Sequence, residues 1–99
     1  HGHFHGCDIW TNFSYKGDDN PSHSHYGFLS GVIYHKNHNH ETFFDDYGLK
    51  YEGFDGTMIM FPSDTLHHVK KQLLDEERIT IAFNIICSDN SKKKNFLYQ

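Results

Sequence analysis

The sequence predicts an all-β domain, and three observations predict it. Segments rich in aromatic and β-branched residues are short, and Gly, Asn and Asp punctuate them. One segment, Arg78–Cys87, alternates apolar and polar residues with the period of two that a strand requires. No long stretch carries the periodicity of an amphipathic helix. The chain has 99 residues, enough for one domain and not two. Hydrophobic residues make up 36% and aromatics 16%, sufficient for a core, which argues against wholesale disorder.

Taken in order, Ile9–Tyr15 is the first predicted strand. Lys16-Gly17-Asp18-Asp19-Asn20-Pro21 reads as turns, since Gly, Asp, Asn and Pro each favour turn conformations. Ser22-His23-Ser24-His25 then leads into Phe28–His35, the second clear strand. Lys36–His40 is a polar turn. Glu41–Asp46 and Leu49–Gly53 are short strands around Tyr47-Gly48, and Asp55-Gly56 marks a turn before Thr57–Phe61, which Pro62 stops. Leu66–Lys70 is a further short strand, and Gln72–Glu77 a mostly polar connection. Arg78–Cys87 is the strongest strand. Ser88–Lys94, with Lys92–Lys94, is a charged and solvated tail, beyond which Phe96 and Leu97 dock weakly.

The strand Arg78–Cys87 has two unlike faces. Ile79, Ile81, Phe83 and Ile85 form an apolar core face, whereas Arg78, Thr80, Ala82 and Asn84 form a small, polar one. A strand of this kind suits the wall of a cavity in a β-sandwich or barrel. If the Ile79 and Ile81 face lies outside, another segment must cover it. The chain begins at His1 without Met, and the expectation is that the natural protein extends further at its N-terminus and covers that face there.

Two counts stand out: ten His, and a single Arg against eight Lys. The formal net charge of −4 argues against a nucleic-acid-coating module, which would be basic. No apolar run approaches the ~20 residues of a membrane-spanning helix. No signal-peptide pattern is visible, and a cytoplasmic protein is expected. Cys7 and Cys87 make no CxxC pair, so a structural zinc knuckle is not expected. They are either one disulfide or two thiols in a reducing compartment.

Three elements could carry chemistry. In His23-Ser24-His25, residues two apart on an extended backbone share a side, so both imidazoles can reach one ion at about 2.1 Å. Imidazole suits Fe, Zn, Cu and Ni alike. In a His-rich chain, the same pair also fits surface residues. Further on, His67-His68 offers a third ligand; neighbours on a strand face opposite sides, so only one of them can serve. Arg78 and Thr80 share a face, and a guanidinium fork beside a hydroxyl suits a carboxylate. The competing reading of Arg78 is a surface ion pair with Glu76 or Glu77. Together the three elements suit one polar-lined cavity, with a metal held by imidazoles and an acidic co-substrate held by Arg78.

Other features have ordinary readings beside functional ones. His35, His38 and His40 fit a solvated hairpin turn or a second metal patch. His1, His3 and His5 fit a mobile terminus or metal scavenging. Trp10 and Tyr26 fit the core or substrate stacking.

Three blocks of the chain resemble a known family: His25-Tyr26-Gly27-Phe28-Leu29-Ser30-Gly31-Val32-Ile33-Tyr34; Gly56-Thr57-Met58-Ile59-Met60-Phe61-Pro62-Ser63 followed by His67; and Glu77-Arg78-Ile79-Thr80-Ile81-Ala82-Phe83-Asn84. In order and spacing they are similar to the 2-oxoglutarate/Fe(II)-dependent oxygenases, in a small-domain branch common in bacteria and marine phages. The match covers roughly Asp8 to Ile86. The resemblance implies a cupin-like double-stranded β-helix, or jelly roll, here without N-terminal helices. It implies Fe(II), 2-oxoglutarate and O₂, and hydroxylation of a protein side chain or small molecule. By motif position, His67 matches the distal metal ligand, His23 and His25 the proximal motif, and Arg78 the residue that holds the far carboxylate of 2-oxoglutarate. Thr80, Tyr34, Ser30 and Asn84 become polar neighbours of the co-substrate. The wider superfamily has an acid where His25 stands. Either three His bind the iron, or one of His23 and His25 binds with Asp18 or Asp19. The alternative function is a cupin-like metal-binding β-domain without 2-oxoglutarate turnover.

Overall fold

Alternation at spacing two organises the chain into eight strands and no helix among the residues described, which are 3–25 and 27–89 in a computed structural model. The strands are β1 (His3–Ser14), β2 (Asn20–His23), β3 (Leu29–Lys36), β4 (Thr42–Phe44), β5 (Leu49–Tyr51), β6 (Met58–Pro62), β7 (His67–Val69) and β8 (Arg78–Asp89). They form two four-stranded sheets, in the orders β1-β8-β3-β6 and β2-β7-β4-β5. Every pairing is antiparallel. The first strand pairs with the eighth, the second with the seventh, the third with the sixth and the fourth with the fifth. The chain is therefore one long hairpin that crosses between two sheets, its tip at the turn before Gly48, which takes φ of 63°.

Register decides which side chains lie between the sheets. Directly opposed residues of an antiparallel pair share a face. Trp10, Ala82, Val32 and Ile59 form one inward row across the first sheet, and Asn12, Thr80 and Tyr34 form the next. Ser14 and Arg78 close the series. The interior is thus polar as much as apolar: Arg78, Thr80 and Asn84 are buried with Tyr34, Phe61 and Ala82. Tyr34 reaches across to the second sheet, where its hydroxyl shares a hydrogen bond with Thr42 Oγ1 at 2.7 Å.

The apolar face of β8 points outward. In the register, Ile9 and Gly31 flank Phe83, and Thr11 and Ile33 flank Ile81. Ile79, Ile81 and Ile85 are half-buried, while Ile9, Phe13, Met58 and Met60 on the neighbouring strands are exposed, Ile9 by 67%. The core face expected of Ile79, Ile81, Phe83 and Ile85 is therefore not the one between the sheets. The polar face of β8 occupies that position, because the second sheet supplies His, Thr and Phe side chains opposite it.

Three boundaries depart from the sequence reading. Asn20-Pro21, expected in a turn, begins β2. This strand lies at a sheet edge, where a residue without an N–H forfeits no ladder bond. Backbone pairing with β8 extends β1 back to His3, so His3 and His5 lie in a strand rather than a mobile terminus. The same ladder carries β8 on to Asp89, past the point where the tail was expected to begin. Cys7 is a free, exposed thiol. The side chain of Cys87 lies outside the described residues, as do Tyr26, Lys92–Lys94, Phe96 and Leu97. No helix among the described residues is long and apolar enough to cross a membrane.

Among the described residues Phe83 is the one large residue of the outer face that is buried, and Gly31 makes this possible. A Cβ on Gly31 would lie 2.2 Å from the Phe83 ring. Gly31→Val is expected to destabilise the fold by about 1–3 kcal/mol through overpacking, measured by urea unfolding.

Candidate metal site

Strands β2 and β7 bring the histidines together. His23 and His67 stand directly opposite each other in the antiparallel ladder and so share a face. His25 follows two residues after His23, and its backbone N–H donates to the Ser63 carbonyl at 2.7 Å. The three rings converge, with centroids 4.8 Å apart for His23 and His25, 4.3 Å for His23 and His67, and 5.1 Å for His25 and His67. One ring nitrogen from each lies within 4.8 Å of the others, close enough to share one ion after small ring rotations. Among the described residues this is the one group of three or more His, Cys, Asp or Glu so arranged, and it contains no carboxylate.

The ring tautomers favour a metal. His23 Nδ1 lies 2.7 Å from the Pro21 carbonyl and His67 Nδ1 lies 2.9 Å from the Thr65 carbonyl. A carbonyl can only accept, so both Nδ1 atoms carry a proton, and in a neutral ring the lone pair then falls on Nε2. This is the arrangement in which a second partner orients a ligating imidazole. Burial, reinforced by the neighbouring imidazoles, holds His25 and His67 below the ordinary histidine pKa and keeps them neutral. Apolar rings wall the cluster: Phe61 lies 4.8 Å from His67, and Trp10 lies 6.1 Å from His25.

His68 faces away. It stacks on Phe43 with centroids 5.0 Å apart, and its Nδ1 lies 2.5 Å from Asp45 Oδ1. Asp45 also accepts from the Ser22 hydroxyl, and this bond, followed by that to His68, holds its carboxyl below the usual carboxylate range. Asp45 thereby ties the neighbour of His23 to the neighbour of His67. Nothing in the sequence marks it for that task.

Arg78 lies at the other end of the same interior space. A cavity of about 310 Å³ is lined by all three histidines together with Trp10, Tyr34, Thr42, Arg78 and Thr80. Arg78 is only 6% exposed, and burial lowers its pKa. The ion pairs among the described residues join His38 to Glu76, Lys50 to Glu41 and His68 to Asp45; none uses Arg78. The surface ion pair with Glu76 or Glu77 is therefore not formed. The partners of Arg78 are instead two buried amides, Asn37 and Gln72, which the sequence reading passed over as turn and connection. Thr80 lies beside it on the inner face, and Thr80 Oγ1 accepts from Asn12 Nδ2 at 3.5 Å.

The remaining expected residues fall in different places. Tyr34 lines the cavity. Ser30 and Asn84 are buried on the inner face but lie outside the lining of that cavity. Ser30 donates to Asn84 Oδ1 at 2.6 Å and accepts from the Ser63 hydroxyl at 2.9 Å. Asp18 and Asp19 line a second, adjoining depression of about 530 Å³, which shares Arg78 and Thr80 with the cavity but none of the histidines. Asp18 is engaged in its own turn, accepting from the Tyr15 N–H at 2.8 Å. His38 pairs with Glu76, His40 Nε2 donates to the Lys70 carbonyl at 2.8 Å, and His35 is exposed, so these three form no second cluster. No protein-family model matches the chain, and no curated protein does.

One equivalent of Zn(II) or Co(II) is expected to bind wild type and His38→Ala, but not His67→Ala, in a dialysis and metal-analysis assay. Free His25 and His67 titrate below pH ~6.5, so affinity should hold at neutral pH. It should fall as acid takes the pH down through their lowered pKa values, because protons then compete for the lone pairs.

Proposed function

We propose that the chain is an Fe(II)- and 2-oxoglutarate-dependent dioxygenase built on a double-stranded β-helix, hydroxylating a protein side chain or small molecule. The observation that carries the reading is one cavity lined by three converging imidazoles and by a buried Arg78 that has no carboxylate partner among the described residues. Burying a charge without a counter-charge is costly, so a cation held only by neutral amides suits an anionic ligand. The strand orders β1-β8-β3-β6 and β2-β7-β4-β5, with the first strand on the eighth and the second on the seventh, favour the jelly-roll reading.

In this reading His23, His25 and His67 hold the metal through Nε2 of His23 and His67 and a ring nitrogen of His25. Fe(II), when bound with 2-oxoglutarate and O₂, supplies the oxidising chemistry. Arg78 receives the far carboxylate of 2-oxoglutarate, and the Thr80 hydroxyl stands ready to add a hydrogen bond. Tyr34 keeps its phenol protonated, since burial raises its pKa, and the Thr42 bond fixes its direction. Trp10 and Phe61 exclude water from the imidazoles. Ser30 and Asn84 brace β3 against β8 behind the cavity wall rather than touching the co-substrate. A cytoplasmic location belongs to the same proposal, and the free Cys7 thiol suits a reducing compartment.

Anaerobic Fe(II) with 2-oxoglutarate is expected to give a weak visible charge-transfer band, lost in His67→Ala and kept in His38→Ala. Arg78→Ala should weaken 2-oxoglutarate binding by at least about tenfold, the worth of a charge-assisted hydrogen bond. Absence of both the band and succinate release would sink the dioxygenase reading. Stoichiometric metal binding with no response to 2-oxoglutarate in either wild type or Arg78→Ala would leave a metal-binding β-domain without turnover. The all-histidine ligand set is what favours that second reading.

A further inference from the structure

Two fully buried amides, Asn37 and Gln72, sit against the guanidinium of Arg78, each 0% exposed. Arg78 Nε donates to Asn37 Oδ1 at 3.1 Å, and Nη1 makes a longer contact to Gln72 Oε1 at 3.4 Å. Neither amide is free to turn over. Asn37 Nδ2 donates to the carbonyls of His40 and Gly53, both at 2.8 Å. Gln72 Nε2 donates to the carbonyls of Leu74 at 3.2 Å and Glu76 at 2.6 Å. Carbonyls only accept, so each NH₂ group must face them and each amide oxygen must face Arg78.

Backbone bonds hold both residues in turn. The Asn37 N–H donates to Asp55 Oδ1 at 2.7 Å, and Asn37 opens a tight turn in which His38 and Asn39 take φ of 53° and 56°. Gly53 passes so close that a Cβ there would lie 2.3 Å from Asn37 Nδ2. The Gln72 N–H donates to the Asp18 carbonyl, and the Gln72 carbonyl accepts from the Gly17 N–H, both at 2.8 Å.

These amides occupy particular donors. A guanidinium has five N–H groups, and bidentate recognition uses either the Nε side or the outer end formed by Nη1 and Nη2. Asn37 takes the Nε–H, which closes the side approach. Three donors on Nη1 and Nη2 have no partner among the described residues. Neutral oxygens also leave the positive charge intact, where an Asp or Glu at either position would cancel it.

We infer that Asn37 and Gln72 are positioning residues that hold Arg78 so that its outer Nη1–Nη2 edge, and not its Nε side, receives a carboxylate. The inference rests on the reading of Arg78 as the 2-oxoglutarate anchor and adds the direction of approach and the residues that impose it.

Because the chain has one arginine, its Nε–H gives a single correlation in a proton–nitrogen spectrum, readable without any ligand. Wild type is expected to show it sharp and displaced from the unfolded position. Asn37→Ala is expected to return it to the unfolded position or broaden it by water exchange, with backbone amides still dispersed. A wild-type signal already at the unfolded position, or one unchanged in Asn37→Ala, overturns the inference. In the Zn(II)-loaded protein, 2-oxoglutarate should perturb the Nη signals and leave Nε in place. Gln72→Glu, which offers Arg78 an internal carboxylate, should raise the 2-oxoglutarate Kd by at least about tenfold with the Zn(II) Kd unchanged. Gln72→Glu binding 2-oxoglutarate like wild type sinks this inference alone. Failure of wild type itself to bind 2-oxoglutarate sinks the anchor reading, while the Nε–H signal still decides whether Asn37 clamps the guanidinium.

Discussion

The register of β8 against its two neighbours is the constraint on which the rest of the molecule depends. β8 pairs with β1 from Arg78 to Asp89 and with β3 from Ile79 to Ile85. A slip by one residue would turn Arg78, Thr80 and Ala82 outward and drive Ile79, Ile81 and Phe83 into the cavity. Packing of Phe83 over Gly31 on the outer face, and the Asn12–Thr80 and Ser30–Asn84 contacts on the inner face, all hold only in the observed register. The same strand thus fixes both the fold and the place of Arg78 in the candidate site.

The interior is organised around polar satisfaction more than apolar volume. Tyr34, Gln72, Asn37, Ser30 and Ser63 are the largest fully buried side chains, and four of the five are hydroxyl or amide residues without a hydrophobic body. Each finds partners, so each adds specificity at little desolvation cost. Arg78 is the exception, since three of its Nη donors have no partner among the described residues. The site is therefore a place where the fold leaves bonding capacity unused, in the manner of a binding pocket rather than a structural core.

Much of the strand framework was legible. The alternation over Arg78–Cys87 located β8 and separated its two faces, and β3 through β7 fall within a few residues of their expected positions. His67 rather than His68 faces the cluster, as opposite orientations of adjacent strand residues require. β2 was hidden because its composition, Asn-Pro-Ser-His, is that of a turn, and only pairing with β7 makes it a strand. Asn37 and Gln72 were hidden for a similar reason. Polar residues in connections are commonly solvated, and nothing local distinguishes the two that fold under Arg78.

What the sequence determined by itself was the local pattern: an all-β chain, the spacing that puts His23 and His25 on one side, and a strand with one oily and one polar face. These follow from a two-residue period that each segment carries alone. Only the tertiary structure decided that the polar face turns inward, that His67 meets His23 across a ladder, and that one cavity joins the histidines to Arg78. Those outcomes depend on hydrogen-bond registers between strands remote in sequence, β1 with β8 and β2 with β7, and no local period encodes a register between distant segments.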